Sequence, residues 1–154
     1  MLAIRRILFP TDFSEHADYA WTYALTFARE FGATLHLLHV LAPPPRLTET
    51  YATDLDPEKL LEAFRAEANQ ALDRHLQDAK NRGLECQVEV RVGVDFREII
   101  AYARAMEADL IVMATHGRTG LAHALMGSVA EKVVRKAGCP VLTIKPPAMK
   151  FEMP

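Results

Sequence analysis

A chain of 154 residues, half of them hydrophobic and 25% charged, can bury a core without cross-links and has an ordinary globular composition. Its formal net charge of −2 excludes a general attraction to nucleic acid or to an anionic membrane, so any basic site must be local. The apolar runs have strand length, too short for a transmembrane helix, and the opening Met-Leu-Ala-Ile-Arg-Arg runs into a polar turn that interrupts any signal-peptide core, so a cytoplasmic location is expected. Cys86 and Cys139 lie far apart, have no Cys-x-x-Cys partner, and read as small core residues.

A first strand is predicted at Ile4 to Phe9, stopped by Pro10, which cannot donate to a central ladder. Thr11-Asp12-Phe13-Ser14 is a turn with Ser14 as N-cap. Apolar residues at Ala17, Ala20, Trp21, Ala24, Ala28 and Phe31 then keep helical spacing until Gly32, which ends the helix. Thr34 to Leu41 is apolar and uncharged, as a strand buried on both faces would be. Pro43-Pro44-Pro45 opens an extended loop reaching about Asp54. Asp56-Pro57 supplies a capping carboxylate and a proline for the first helical position, and Leu60, Phe64, Ala68, Ala71, Leu72, His75, Leu76 and Ala79 share one face until Gly83.

Leu84 to Val92 alternates, with Cys86, Val88, Val90 and Val92 on one face and Glu85, Gln87, Glu89 and Arg91 on the other, the pattern of an edge or near-edge strand. Asp95 with Glu98 makes a carboxylate version of the capping box for a helix whose buried stripe is Ile99, Ile100 and Ala103. Asp109 to Ala114 is the fourth strand, Val129 to Ala137 the last helix, and Pro140 to Lys145 a short fifth strand. Alternating strands and helices with short connections predict an open parallel sheet covered on both faces, formed by one domain over residues 1–146, with 147–154 as a tail. Ligands in such sheets sit beyond the carboxyl ends of the strands where the order reverses. The ends of strands one, two and four carry Pro10-Thr11-Asp12, Val40 and Ala114 to Gly120, which converge if strands one and four are neighbours.

The stretch from Ile111 to Ser128 is the most informative. An apolar strand runs into a glycine-bearing loop and then a helix start, an arrangement that offers free backbone N–H groups and a positive helix end to an anion. Each signal also has a purely structural explanation. Gly117 and Gly120 could serve only to permit positive φ. Ser128 with Glu131 forms a capping box that accounts for the serine without a ligand, and Asp12 could simply cap the first helix. His36 and His39 differ by an odd number on a strand, so they point to opposite faces and cannot share a metal ion. His75 reads as a satisfied or boundary histidine, and His116 and His123 as loop residues near phosphate or in solvent. Lys132, Arg135 and Lys136 form the wet face of the last helix.

Ile-Leu-Phe-Pro-Thr-Asp-Phe-Ser, Leu-Leu-His-Val, Val-Met-Ala-Thr-His-Gly-Arg-Thr-Gly, Met-Gly-Ser-Val-Ala-Glu-Lys-Val and Cys-Pro-Val-Leu-Thr-Ile-Lys, in that order over residues 1–146, resemble the universal stress protein family. The resemblance implies a Rossmann-like sheet (adenine nucleotide alpha hydrolase-like) in the order 3-2-1-4-5. It also implies ATP or AMP as ligand, Mg²⁺ accompanying ATP, a role in stress response or regulation, and a homodimer paired through Val141–Ile144. The nucleotide-binding branch carries Gly-x2-Gly-x9-Gly-Ser/Thr. Here the pattern falls on Ala114, Gly117, Gly127 and Ser128, so alanine stands at the first glycine, where a methyl would crowd the approach to ribose or phosphate.

By the same resemblance Asp12 would hold the ribose hydroxyls or Mg²⁺, the main chain around Thr11 and Val40 would read adenine, and Pro10 would line the site. Gly117, Gly127, Ser128 and Val129 would receive the phosphates, with Met113, Ala114, His116, Arg118 and Gly120 completing the site. Arg118 has the guanidinium geometry for a phosphate clamp. No Gly-x4-Gly-Lys-Ser/Thr loop, dinucleotide Gly-x-Gly-x-x-Gly or nucleophile elbow occurs, which favours binding over catalysis. Two alternatives stay open: a slow Mg²⁺-dependent ATPase or phosphotransferase using Asp12 and Ser128, and a dimeric interaction protein that binds no nucleotide.

Overall fold

In the computed structural model, which describes residues 3–43, 56–118 and 126–147, nine elements alternate along the chain. They are β1 (Arg6–Pro10), α1 (Glu15–Phe31), β2 (Thr34–Leu41), α2 (Pro57–Asn81), β3 (Cys86–Val92), α3 (Asp95–Ala105), β4 (Leu110–Ala114), α4 (Ser128–Lys136) and β5 (Val141–Ile144). The strands are parallel in the order β3-β2-β1-β4-β5, as expected, with the reversal between β1 and β4. The proline-rich loop from residue 44, Gly120, His123 and the tail from residue 148 lie outside the described residues.

Side-chain alternation divides the interior into two layers. Ile7, Phe9, Leu35, Leu37 and Val112 meet Trp21 and Leu72 beneath α1 and α2. Leu8, Leu38, Ile111 and Met113 meet Ile99 and Val133 beneath α3 and α4. Each large apolar side chain fully buried in this way contributes about 1.5–3 kcal/mol. The two strand histidines separate as their spacing predicts: His36 reaches the Tyr102 hydroxyl at 3.4 Å, while His39 lies against Phe13, ring centroids 4.4 Å apart. Burial, with a smaller contribution from Arg6, pushes the His36 imidazolium towards deprotonation.

Several local expectations need correction. Pro10 does not stand outside β1 but is its last residue, paired with Leu38 of β2. On the other side, β1–β4 pairing ends at Leu8↔Ile111, because the next rung would need the amide that proline lacks. The two strands part there, and the gap opens the crevice. Phe31, expected in the buried stripe of α1, is 48% exposed at the helix end and stacks on Phe27. Phe64 is also exposed, because the 25-residue α2 overhangs strands of four to eight residues, and its buried face starts only at Ala68.

Asp95 does not cap α3. Arg97 and Glu98 N–H both donate to the carbonyl of Val94, at 3.0 Å each, so the helix begins one residue earlier and Asp95 is its first member. Ile100 is only half-buried. Ser128 likewise does not cap α4. Glu131 N–H donates to the Gly127 carbonyl at 3.0 Å, making Gly127 the cap and Ser128 the first helical residue. The two caps read correctly are Ser14, whose Oγ accepts from Ala17 N–H at 3.2 Å, and Asp56, which accepts from Glu58 N–H at 3.0 Å.

Candidate functional site

A cleft of about 560 Å³ lies beyond the carboxyl ends of β1, β2 and β4, within the size range of small-molecule sites. Its walls are Pro10 to Asp12 at the end of β1, Leu38 to Val40 at the end of β2, Met113 to Arg118 at the end of β4, and Met126 to Glu131 at the start of α4. Asp95 and Ile99 of α3 and Ala17 of α1 complete it. Every site residue named from the sequence and lying among the described residues is on this wall.

One end of the cleft is built on backbone. Gly127 N–H donates to the Thr115 carbonyl at 2.6 Å, so this amide holds the loop together and does not point at a ligand. Ser128 and Val129, in the first turn of α4, keep the amides that a helix start leaves without intrahelical partners. Gly117 and Gly127 are required by space: neither takes a positive φ, which removes the turn-only explanation for Gly117. A Cβ on Gly117 would run into the Asp12 carboxylate, and one on Gly127 would stand 2.9 Å from the Thr115 carbonyl oxygen. Thr115 is buried, its N–H donates to the Ile144 carbonyl at 3.0 Å, and its hydroxyl lies 2.8 Å from His116 Nδ1. His116 is 3% exposed, which overturns a solvent-facing role for it.

Asp12 joins the two loops that flank the sheet reversal. Its Oδ1 accepts from Ser14 N–H at 3.0 Å, and its Oδ2 from Arg118 N–H at 2.8 Å. It therefore organises the loops after β1 and β4 in addition to whatever it offers a ligand; a carboxylate oxygen has two lone pairs, so acceptor capacity remains. The Arg118 side chain is exposed. Ala114 has an ordinary φ and its methyl joins the core layer beneath α1 and α2, so alanine at the first glycine position imposes no backbone strain.

The other end is built by strand register. Thr11 N–H donates to the Leu38 carbonyl at 2.9 Å, so that amide is occupied, and His39 Nδ1 lies 2.7 Å from the Thr11 carbonyl, which keeps one lone pair. Because Leu38 faces β1, Val40 two residues on faces the same way, yet β1 pairing has ended at Pro10↔Leu38. The Val40 N–H and carbonyl thus look into the cleft from a strand edge that has no neighbour among the described residues.

Asp95 and Ile99 were not anticipated. The sequence could have pointed to Asp95, since it follows the carboxyl end of β3 just as Asp12 follows β1. Desolvation raises the Asp95 carboxyl above the usual range, with nearby Asp12 adding to the rise and His39 opposing it. No group of three or more potential metal ligands occurs among the described residues. Nor is any helix there long and apolar enough to cross a membrane.

Comparison with known proteins agrees with this geometry. The universal stress protein family model matches residues 3–145. Universal stress protein MJ0531 of Methanocaldococcus jannaschii is 36% identical over 143 residues, covering 93% of this chain and 83% of the relative. The solved universal stress protein UspA from Lactobacillus plantarum superposes with a TM-score of 0.82 at 30% identity, covering 92% of this chain and 98% of that one. More distant structures with the same fold include a universal stress protein in complex with cAMP (TM-score 0.70, 22% identity, 93% and 98% covered). Another is the Archaeoglobus fulgidus protein in complex with dAMP (TM-score 0.66, 24% identity, 94% and 100% covered). With matched sequence over nearly its whole length and a matched sheet, this chain belongs to the universal stress protein family.

Proposed function

We propose that the cleft binds an adenine nucleotide, AMP or ATP, and that reversible binding is the activity of this protein. The phosphates lie at the start of α4 and the base at the end of β2. The observation that carries this reading is that Val40 offers one main-chain donor and one acceptor at a strand edge while the unpaired amides of Ser128 and Val129 face the same cleft. Adenine presents a ring-nitrogen acceptor beside an amino donor, the complement of a single N–H and carbonyl. β2 and β4 flank β1 in the sheet, two strand spacings or roughly 10 Å apart, which suits the separation of base and phosphate in a mononucleotide. A helix N-terminus favours the phosphate charge.

The cAMP and dAMP complexes of distant relatives speak for what this fold can hold; the residues above speak for this chain. Asp12 keeps lone pairs for the ribose hydroxyls and is the protein carboxylate placed to meet Mg²⁺ arriving with ATP. Met113 and Ala114 line the floor, and Arg118 at the rim clamps phosphate oxygens. The edge of β5, Val141–Ile144, is unpaired on its outer side among the described residues, and we assign it to a second copy of the chain, since an open apolar edge is costly to leave bare. Sedimentation should give a dimer at micromolar concentration; a monomer overturns that assignment. Both cysteines are free, in keeping with a cytoplasmic regulator whose nucleotide state alters its partners in a stress response.

A thermal-shift series with ATP, AMP and GTP tests the reading. A ligand at a hundredfold excess over Kd stabilises the folded state by about 2.7 kcal/mol. A rise in melting temperature with adenine nucleotides is expected; no shift with any nucleotide at millimolar concentration overturns it.

A further inference from the structure

We propose that Asp95 reads the exocyclic amino group of the bound base, so that the cleft selects a 6-amino purine over a 6-oxo purine. The inference rests on the nucleotide reading above and adds a side chain to the main-chain reading of the base by Val40. Asp95 lines the cleft from the first turn of α3. It stands at the base end, because Gly93 N–H donates to the Leu41 carbonyl at 2.9 Å, tying the approach to α3 to the residue that follows Val40. His39 and Asp12 are near enough to act on its charge.

Three observations separate Asp95 from the other carboxylates. It does not cap its helix, a task that falls to Val94. Its side chain makes no hydrogen bond or ion pair among the described residues. Asp12, by contrast, has an amide on each oxygen. Asp95 is therefore the cleft carboxylate with no protein donor on either oxygen among the described residues. The Val40 carbonyl takes one hydrogen of an adenine amino group, and the second needs an acceptor across the cleft. An ionised carboxylate accepts only. Set against a 6-oxo group it confronts another acceptor, and although Asp95 is exposed at the cleft rim the repulsion between its charge and an oxo group weighs against the near-isosteric ligand.

Calorimetry of the full chain with AMP, IMP, GMP and 2′-deoxy-AMP, repeated on Asp95→Asn and Asp95→Ala, tests this. The natural chain should bind AMP at least about tenfold more tightly than IMP or GMP. In Asp95→Ala the AMP-to-IMP ratio should fall at least about threefold, as AMP loses an acceptor and the oxo purines lose a repulsion, with the remaining preference left to the Val40 N–H and carbonyl. Asp95→Asn, whose amide both donates and accepts, should relax selectivity in the same way, with the unliganded melting temperature of each variant recorded as a check on folding. An unchanged AMP-to-IMP ratio in both variants, with AMP still bound, overturns the proposal and leaves the nucleotide reading standing. So does a loss confined to the discrimination between AMP and 2′-deoxy-AMP, which would assign Asp95 to the ribose. Absence of binding by every nucleotide to the natural chain overturns both.

Discussion

The two ends of the cleft are made by different means. At the α4 end the chain uses glycine: Gly117 leaves room for the Asp12 carboxylate, and Gly127 leaves room for the Thr115 carbonyl while its amide fastens the loop. At the β2 end it uses register: Pro10 stops β1 two residues short, so Val40 keeps a main-chain donor and acceptor. The first end depends on residue type and should be fragile to substitution. The second depends on where a neighbouring strand stops and should tolerate side-chain changes at Val40 itself.

The largest expected effect is at Gly127→Val. The clash is with backbone, 2.9 Å from the Thr115 oxygen, and the fastening bond is lost with it. AMP binding should vanish, and overpacking should lower stability by about 1–3 kcal/mol in denaturant titration. Gly117→Ala meets a side chain that can swing away, so it should weaken binding less. If Gly117→Ala proves the more damaging, the α4 end is organised by Asp12 and not by the Thr115–Gly127 tie.

Asp12→Ala removes an acceptor shared by two loops and should cost about 1–2 kcal/mol, less than two buried charged bonds because the site is partly open to water. Asp12→Asn, which keeps one acceptor, should recover part of the loss.

At the opposite pole of the sheet, Asp109 accepts from the Arg5 and Arg6 amides, and these bonds, the Arg5 one foremost, hold its carboxyl below its ordinary value of 3.8. A depressed folded pKa stabilises above the unfolded value and loses that contribution as pH falls through the folded value. Asp109→Asn should therefore be less stable than the natural chain at neutral pH by about 1 kcal/mol and converge with it below about pH 4, with AMP affinity unchanged. A change in affinity would mean that the two poles of the sheet are coupled.

Ala114→Gly should alter AMP affinity by less than about threefold and cost about 0.5–1 kcal/mol of stability, because the methyl belongs to the core layer. Nucleotide binding that appears only in this variant would favour the interaction protein with an empty cleft. The smallest effect concerns Cys86, whose thiol burial pushes up to about 11. Alkylation at pH 8 should be slow and indifferent to AMP.

The fold was legible because the strands and helices are well patterned and joined in strict alternation, and because Gly32 and Pro57 mark helix ends without ambiguity. The α4 end of the cleft was legible as a motif, since Gly117, Gly127 and Ser128 are fixed by residue type and spacing. Asp95 and Ser128 were misassigned as caps because a capping pattern shifted by one residue looks the same in sequence, and the choice is settled by which carbonyl takes the first helical bond. Two further facts were out of reach: the Thr11 amide is taken up by Leu38 with His39 against its carbonyl, and Val40 has no main-chain partner on its β1 side among the described residues. Both follow from register between strands distant in sequence, which local pattern does not encode.

The central claim is that one ligand spans both ends of the cleft, and amide chemical shifts of the labelled protein during an AMP titration test it most directly. The Val40 amide at one end and the Ser128 and Val129 amides at the other should move together, along a single binding curve, while the Asp109 amide stays still. Movement at the α4 end alone, reproduced by inorganic phosphate, would show an anion site with no base pocket and contradict the account.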